Sequence, residues 1–139
     1  MVQWKESYST GLTLLDEQHK NLFQYLNDLE SSVREQDVSA ALMMGALDYF
    51  ENYIKIHFGN EETCMHRYRC PIAQTNQTAH RDFIDFFKEY SDRLKREGAN
   101  YSLFKNLLSF VEDWIIKHIC KIDIQLFSCV NTKPKKISA

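Results

Sequence analysis

Apolar positions recur along most of this chain at steps of three and four, the spacing that gathers them on one side of an α-helix. The first such run covers about residues 14–34, with Leu15, Leu22, Phe23, Leu26, Leu29 and Val33 on its apolar face. Glu35-Gln36-Asp37 breaks the pattern, and Ser39 is placed to cap a second helix over about 39–66. That stripe holds Leu42, Ala46, Phe50, Tyr53, Ile54 and His57. Gly45 and Gly59 lie inside it; each costs roughly 1 kcal/mol against Ala, which points to close packing there. Arg69-Cys70-Pro71 interrupts the chain before a third helix over about 72–97, with Phe83, Phe86, Phe87, Tyr90 and Leu94 inward and Gly98-Ala99-Asn100 as the stop. A fourth covers about 102–123, with Phe104, Leu107, Leu108, Val111, Trp114, Ile115 and Ile119 on its stripe.

Short connections between long amphipathic helices predict an all-α, antiparallel up-down-up-down four-helix bundle. An irregular arm over residues 1–13 and a short tail over 124–139, polar from Asn131 onward, complete one domain, 1–139. Composition supports this reading. Four Gly and two Pro in 139 residues disfavour a turn-rich β fold. The net charge of −2 gives no electrostatic case for a nucleic-acid partner. No apolar run approaches the roughly 20 residues of a membrane span. The opening Met1-Val2-Gln3-Trp4-Lys5-Glu6 lacks the apolar stretch of a signal peptide, so a cytoplasmic location is expected. Cys64, Cys70, Cys120 and Cys129 form no CxxC pair. They read as reduced packing thiols, with Cys70, beside Pro71, the one expected to be partly exposed. Polar outer faces suggest a monomer.

The candidate chemistry lies where the histidines fall. His57 and Glu61 are four apart on the second helix, so both leave the face that carries Phe50, Tyr53 and Ile54. A core-facing carboxylate is costly unless it is paired or bound to metal. His80 lies near the Phe83 and Phe87 stripe, His118 one turn after Trp114, and His19 one turn before Phe23. Asp123 follows His118 by five residues, which in a straight α-helix is about 140° off the His118 face. Both point inward only if the helix ends, or carries a π-bulge, near residues 120–122. One inward histidine is usually a hydrogen-bonded core residue; four of them converging with two carboxylates indicate a metal site. His66 falls off that face and reads as a surface residue. Imidazole and carboxylate donors suit iron, manganese or zinc, and carboxylates able to bridge favour two ions over one.

Several motifs, in order, resemble those of the bacterial hemerythrins. They are Trp4 with Tyr8-Ser9-Thr10-Gly11-Leu12 and Leu15-Asp16-Glu17-Gln18-His19-Lys20; His57-Phe58-Gly59-Asn60-Glu61-Glu62 with Met65; and Trp114, His118-Ile119 and Asp123. The resemblance covers nearly the whole chain and implies reversible O2 binding at a carboxylate-bridged, non-haem di-iron centre. By it, His19 and His57 hold the iron that takes up O2. His80 and His118 hold the other, Glu61 and Asp123 bridge, and Ile119 and Trp114 help line the oxygen pocket. One position departs from the family pattern: Asn76 stands where a ligand histidine is expected, four residues before His80 and five after Pro71. Cys70 likewise replaces a tyrosine before Pro71. An amide oxygen is a weaker, harder donor than imidazole. Three outcomes stay open: two irons with Asn76 or water completing the shell, one iron held weakly, or an open position that favours O2 or peroxide reduction. The expected class is an oxygen-binding protein for storage, delivery or sensing, with enzyme activity left open. The alternatives are an oxidase or peroxide reductase, and a metal-binding bundle without oxygen chemistry.

Overall fold

The computed structural model describes residues 1–98 and 100–132. Ala99, in the middle of the stop signal, and residues 133–139 of the polar tail lie outside the described residues. A 3-10 turn, Glu6–Tyr8, leads into α1 (Thr13–Arg34). Asp16 ties the arm to α1 by accepting from the Ser9 hydroxyl at 2.6 Å and the Thr10 backbone N–H at 2.8 Å. The second helical rod starts at Ser39, whose hydroxyl accepts from the Leu42 N–H at 3.0 Å, as the capping pattern predicts. It consists of α2 (Ala40–Tyr53), a π turn (Ile54–Phe58) and α3 (Gly59–Arg67). The third rod is α4 (Ala73–Glu97), closed by Gly98 at φ 79°, a left-handed conformation that suits glycine. Asn100 caps the fourth rod by accepting from the Leu103 N–H. That rod comprises α5 (Tyr101–His118), a second π turn (Ile119–Asp123) and α6 (Gln125–Thr132). The four rods form the expected all-α bundle.

The structure corrects four sequence expectations. The tail over 124–139 is helical in its first part, because α6 buries Leu126 and Cys129 against Leu15, Met65 and Cys70 at one end of the bundle. The thiol expectation fails for one pair: Cys70 and Cys129 are joined in a disulfide, with Cα atoms 5.6 Å apart, and Cys70 is buried. Only Cys64 and Cys120 are free thiols among the described residues. Phe86 is not inward but 55% exposed. It is one position before Phe87, about 100° round the helix, and lies against Phe110 on the outer face. Gly45 and Gly59 have no atom within 4 Å of where a Cβ would sit, so neither marks a close approach.

The apolar interior divides into two clusters. Leu22, Phe58, Phe83 and Ile119 belong to the larger one, and Leu15, Met65 and Leu126 to the smaller one at the α6 end. On α1 the polar residue between them is His19. On the second rod it is Glu61, and on the fourth it is Asp123. The apolar stripes are thus interrupted at one common level of the bundle, and the buried polar groups meet there.

Candidate metal centre

His19, His57, Glu61, His80, Asn76, His118 and Asp123 are all buried. They form two donor groups that share both carboxylates: His19, His57, Glu61 and Asp123; and His80, His118, Glu61 and Asp123. Within each group the donor atoms lie within 4.8 Å of one another. Glu61 divides its oxygens between the groups. Its Oε2 lies 3.6 Å from His19 Nε2 and 3.4 Å from His57 Nε2. Its Oε1 lies 3.0 Å from His80 Nε2 and 3.7 Å from His118 Nε2. Asp123 does the same, with Oδ2 3.2 Å from His19 Nε2 and Oδ1 3.0 Å from His118 Nε2. Each carboxylate is therefore oriented to bridge two points.

Close approach here is not hydrogen bonding. His19 Nε2, His80 Nε2 and all four carboxylate oxygens are buried without a hydrogen-bond partner, despite contacts near 3 Å. The lone pairs converge on shared points instead of on each other. Ligands about 2.1 Å from a common ion would themselves be about 3.0–3.5 Å apart. Buried orphan groups are costly in any fold, and a cation at each point would satisfy them. The donor chemistry and the orphaned atoms fit a metal ion.

The two carboxylates also act on the protonation of the imidazoles. Burial alone would lower His19, but the Asp123 and Glu61 carboxylates outweigh it and raise the imidazole to about 9. His118 is raised to about 9 by the same two carboxylates against the same burial. Burial wins at His57 and lowers it, with Glu61 offsetting only part. Glu61 is itself held well below the usual carboxylate range: burial opposes this, but His118, His19, His57 and His80 together overcome it. Metal binding to such a site must release protons.

The π turn Ile119–Asp123 is the distortion that the five-residue step requires, and it brings Asp123 and His118 to the same side. A second π turn, Ile54–Phe58, carries His57 and had no signal in the sequence. The four-residue step from His57 to Glu61 already agrees with an ordinary α-helix. Aromatic rings hold the imidazoles in place. Tyr53 stacks on His57 at 4.9 Å, Phe58 on His80 at 3.7 Å and Trp114 on His118 at 4.3 Å. Trp114, Phe58 and Tyr53 also wall an apolar cavity of about 20 Å³, with Leu22, Phe50 and Ile54. Ile119 is fully buried in the larger cluster but does not line this cavity. His66 is exposed, as expected.

Two residues that sequence reasoning passed over orient the rings. His57 Nδ1 donates to the Gln18 side-chain oxygen at 2.7 Å, and His80 Nδ1 to Glu62 at 2.8 Å. Both bonds leave Nε2 with its lone pair facing the carboxylates. Gln18 and Glu62 sit directly beside His19 and Glu61 in sequence, and no periodicity distinguishes them from surface polar residues. Asn76 is at the site: its Oδ1 accepts from His118 Nε2 at 2.8 Å, while its Nδ2 is buried without a partner. Gln77 is exposed.

The model of the Hemerythrin HHE cation binding domain family matches residues 10–130. The bacteriohemerythrin of Stenotrophomonas maltophilia is 24% identical over 86% of this chain and 74% of its own. That of Methylococcus capsulatus is 23% identical over 94% and 98%. The myohemerythrin of Sipunculus nudus is 29% identical over 88% of each.

Proposed function

Because the chain belongs to the Hemerythrin HHE cation binding domain family, we propose that it binds dioxygen reversibly at two non-haem iron ions held inside the bundle. His19 and His57 would hold one ion, His80 and His118 the other, with Glu61 and Asp123 shared between the two. Residues 1–139 act as a single domain around this centre. The observation that carries the reading is the division of each carboxylate between two imidazole pairs, with every one of its oxygens otherwise unpartnered. Ferrous ions bound there would supply the electrons that dioxygen binding requires.

The chain's own residues do the rest. Gln18 and Glu62 fix the ring orientations of His57 and His80 through their Nδ1 atoms. Tyr53, Phe58 and Trp114 stack on His57, His80 and His118 and help line an apolar cavity of about 20 Å³, the size of one small molecule. A dry wall limits water and proton access, which slows the loss of a reduced oxygen product.

Asn76 favours a second reading, O2 or peroxide reduction, because it places an unpartnered amide N–H among the donor groups. One experiment separates the two. The protein is reconstituted anaerobically with excess ferrous iron, exposed to O2, and returned to anaerobic buffer while its visible spectrum is recorded. A spectral change that appears and reverses over repeated cycles is expected. Steady O2 consumption in the presence of a reductant would move the function to the oxidase, and no response to O2 would leave a metal-binding bundle.

A further inference from the structure

Resting on that metal-centre reading, we propose that Asn76 makes the two halves of the centre unequal: the His19 and His57 half takes its ion first, and the His80 and His118 half fills only after Asn76 releases His118. His118 Nε2 is the nitrogen that faces Asp123 Oδ1 at 3.0 Å and Glu61 Oε1 at 3.7 Å, so it is the donor that the second half needs. The same nitrogen is held by Asn76 Oδ1 at 2.8 Å in a buried contact. A ring nitrogen has one direction in the ring plane. It can give a proton to an amide oxygen or a lone pair to a cation, not both. Turning the amide over does not help, because a cation-bound nitrogen has no lone pair left for an N–H.

No other ring carries this conflict. His57 and His80 make their hydrogen bonds through Nδ1, on the far side of the ring. His19 Nε2 has no hydrogen-bond partner at all. The handicap therefore falls on a single ring in one half. Release also costs more than one bond. Asn76 Nδ2 is already unpartnered, so an amide that loses His118 has both of its polar atoms buried and unpaired. The second ion is expected to bind at least about tenfold more weakly than the first, the effect of about one buried hydrogen bond.

The test is anaerobic equilibrium titration of the metal-free protein with Co2+, and separately with Fe2+, reading ions bound per chain. Two steps are expected in the unaltered protein. Asn76→Ala should strengthen the second step by about tenfold and leave the first unchanged. Two equal steps in the unaltered chain would overturn the proposal. So would a weaker second step in Asn76→Ala, which would make the amide a ligand. If Asn76→Ala fails to fold, nitrogen-resolved NMR of the unaltered chain decides. The hydrogen-bonded His118 Nε2 proton should persist through the first equivalent of Co2+ and disappear with the second; its loss during the first would refute the ordering. Failure of the centre itself looks different: no saturable uptake, or uptake unchanged by His19→Ala.

Discussion

Glu61 and Asp123 have essentially no exposed surface, and none of their oxygens has a hydrogen-bond partner. A buried carboxylate in that position weakens the fold until a cation or proton compensates it. Metal should therefore stabilise the folded chain strongly, by about 4 kcal/mol at an ion concentration a thousand times its Kd. The urea midpoint is expected to fall on chelation and recover on adding Co2+. Glu61→Leu should lose that response and, without added metal, be less stable than the parent, because it leaves the buried imidazoles facing Glu61 without one of their two carboxylates. A Glu61→Leu protein that still gained stability from Co2+ would place the ion elsewhere. Glu62 acts one bond further out, on His80 Nδ1. Removing such a partner typically costs about 10–100-fold in metal affinity. Glu62→Ala should weaken uptake within that range, and Glu62→Gln, which keeps an acceptor oxygen, should recover part of the loss. Equal affinity in all three proteins would remove Glu62 from the centre.

Helix arithmetic governs the next scale up. The five residues from His118 to Asp123 do not fit one face of a straight α-helix, and the π turn Ile119–Asp123 absorbs the surplus residue. Deleting exposed Lys121 turns the step into four, which an ordinary helix places about 40° apart. The deletion variant is expected to keep its helical circular dichroism and still bind metal. Inserting Ala after Lys121 makes the step six, turns Asp123, Leu126 and Cys129 away together, and should abolish uptake. Loss of binding in both variants would mean that the π geometry itself is required. The same arithmetic explains what was legible. The four rods, the capping by Ser39 and the distortion before Asp123 follow from the sequence pattern alone, whereas Asn100, read as part of the stop of the third helix, turns out to cap the fourth. The π turn around His57 left no mark, because four residues from His57 to Glu61 look regular whether or not the backbone widens before them. Phe86 was misplaced because, in the run Phe83, Phe86, Phe87, Tyr90, spacing alone does not single out the residue that faces outward. The hydrogen bond from His118 to Asn76 spans 42 residues and joins two rods, so it belongs to packing that no local pattern encodes.

For the whole molecule the decisive element is α6, which the chain's polar end had concealed. It closes one end of the bundle by burying Leu126 against Leu15 and Met65, and it follows directly on the turn that carries Asp123. The Cys70–Cys129 disulfide fastens it to the connection between α3 and α4 across a separation of 59 residues. No spacing rule could have paired these cysteines, because the contact exists only once the fourth rod reaches the end of the second. Closing a loop of that length restricts the unfolded chain, with an upper figure of about 4 kcal/mol in the chain-entropy account and about 2–4 kcal/mol commonly realised. Cys129→Ser should therefore lower the unfolding free energy in urea by about 2–4 kcal/mol. Reductant should bring the parent protein to the same midpoint and leave the variant unmoved. The unfolded, unreduced parent should show two reactive thiols, Cys64 and Cys120, and four after reduction. Four thiols before reduction would mean that packing alone holds α6 in place, and the stability difference should then vanish. Because α6 anchors the turn that presents Asp123 to both donor groups, the reduced protein is expected to hold metal more weakly than the oxidised one even where both remain folded. Co2+ affinity measured with and without reductant below the unfolding range would reveal that link, and equal affinities would show that the π turn holds Asp123 without help from the crosslink.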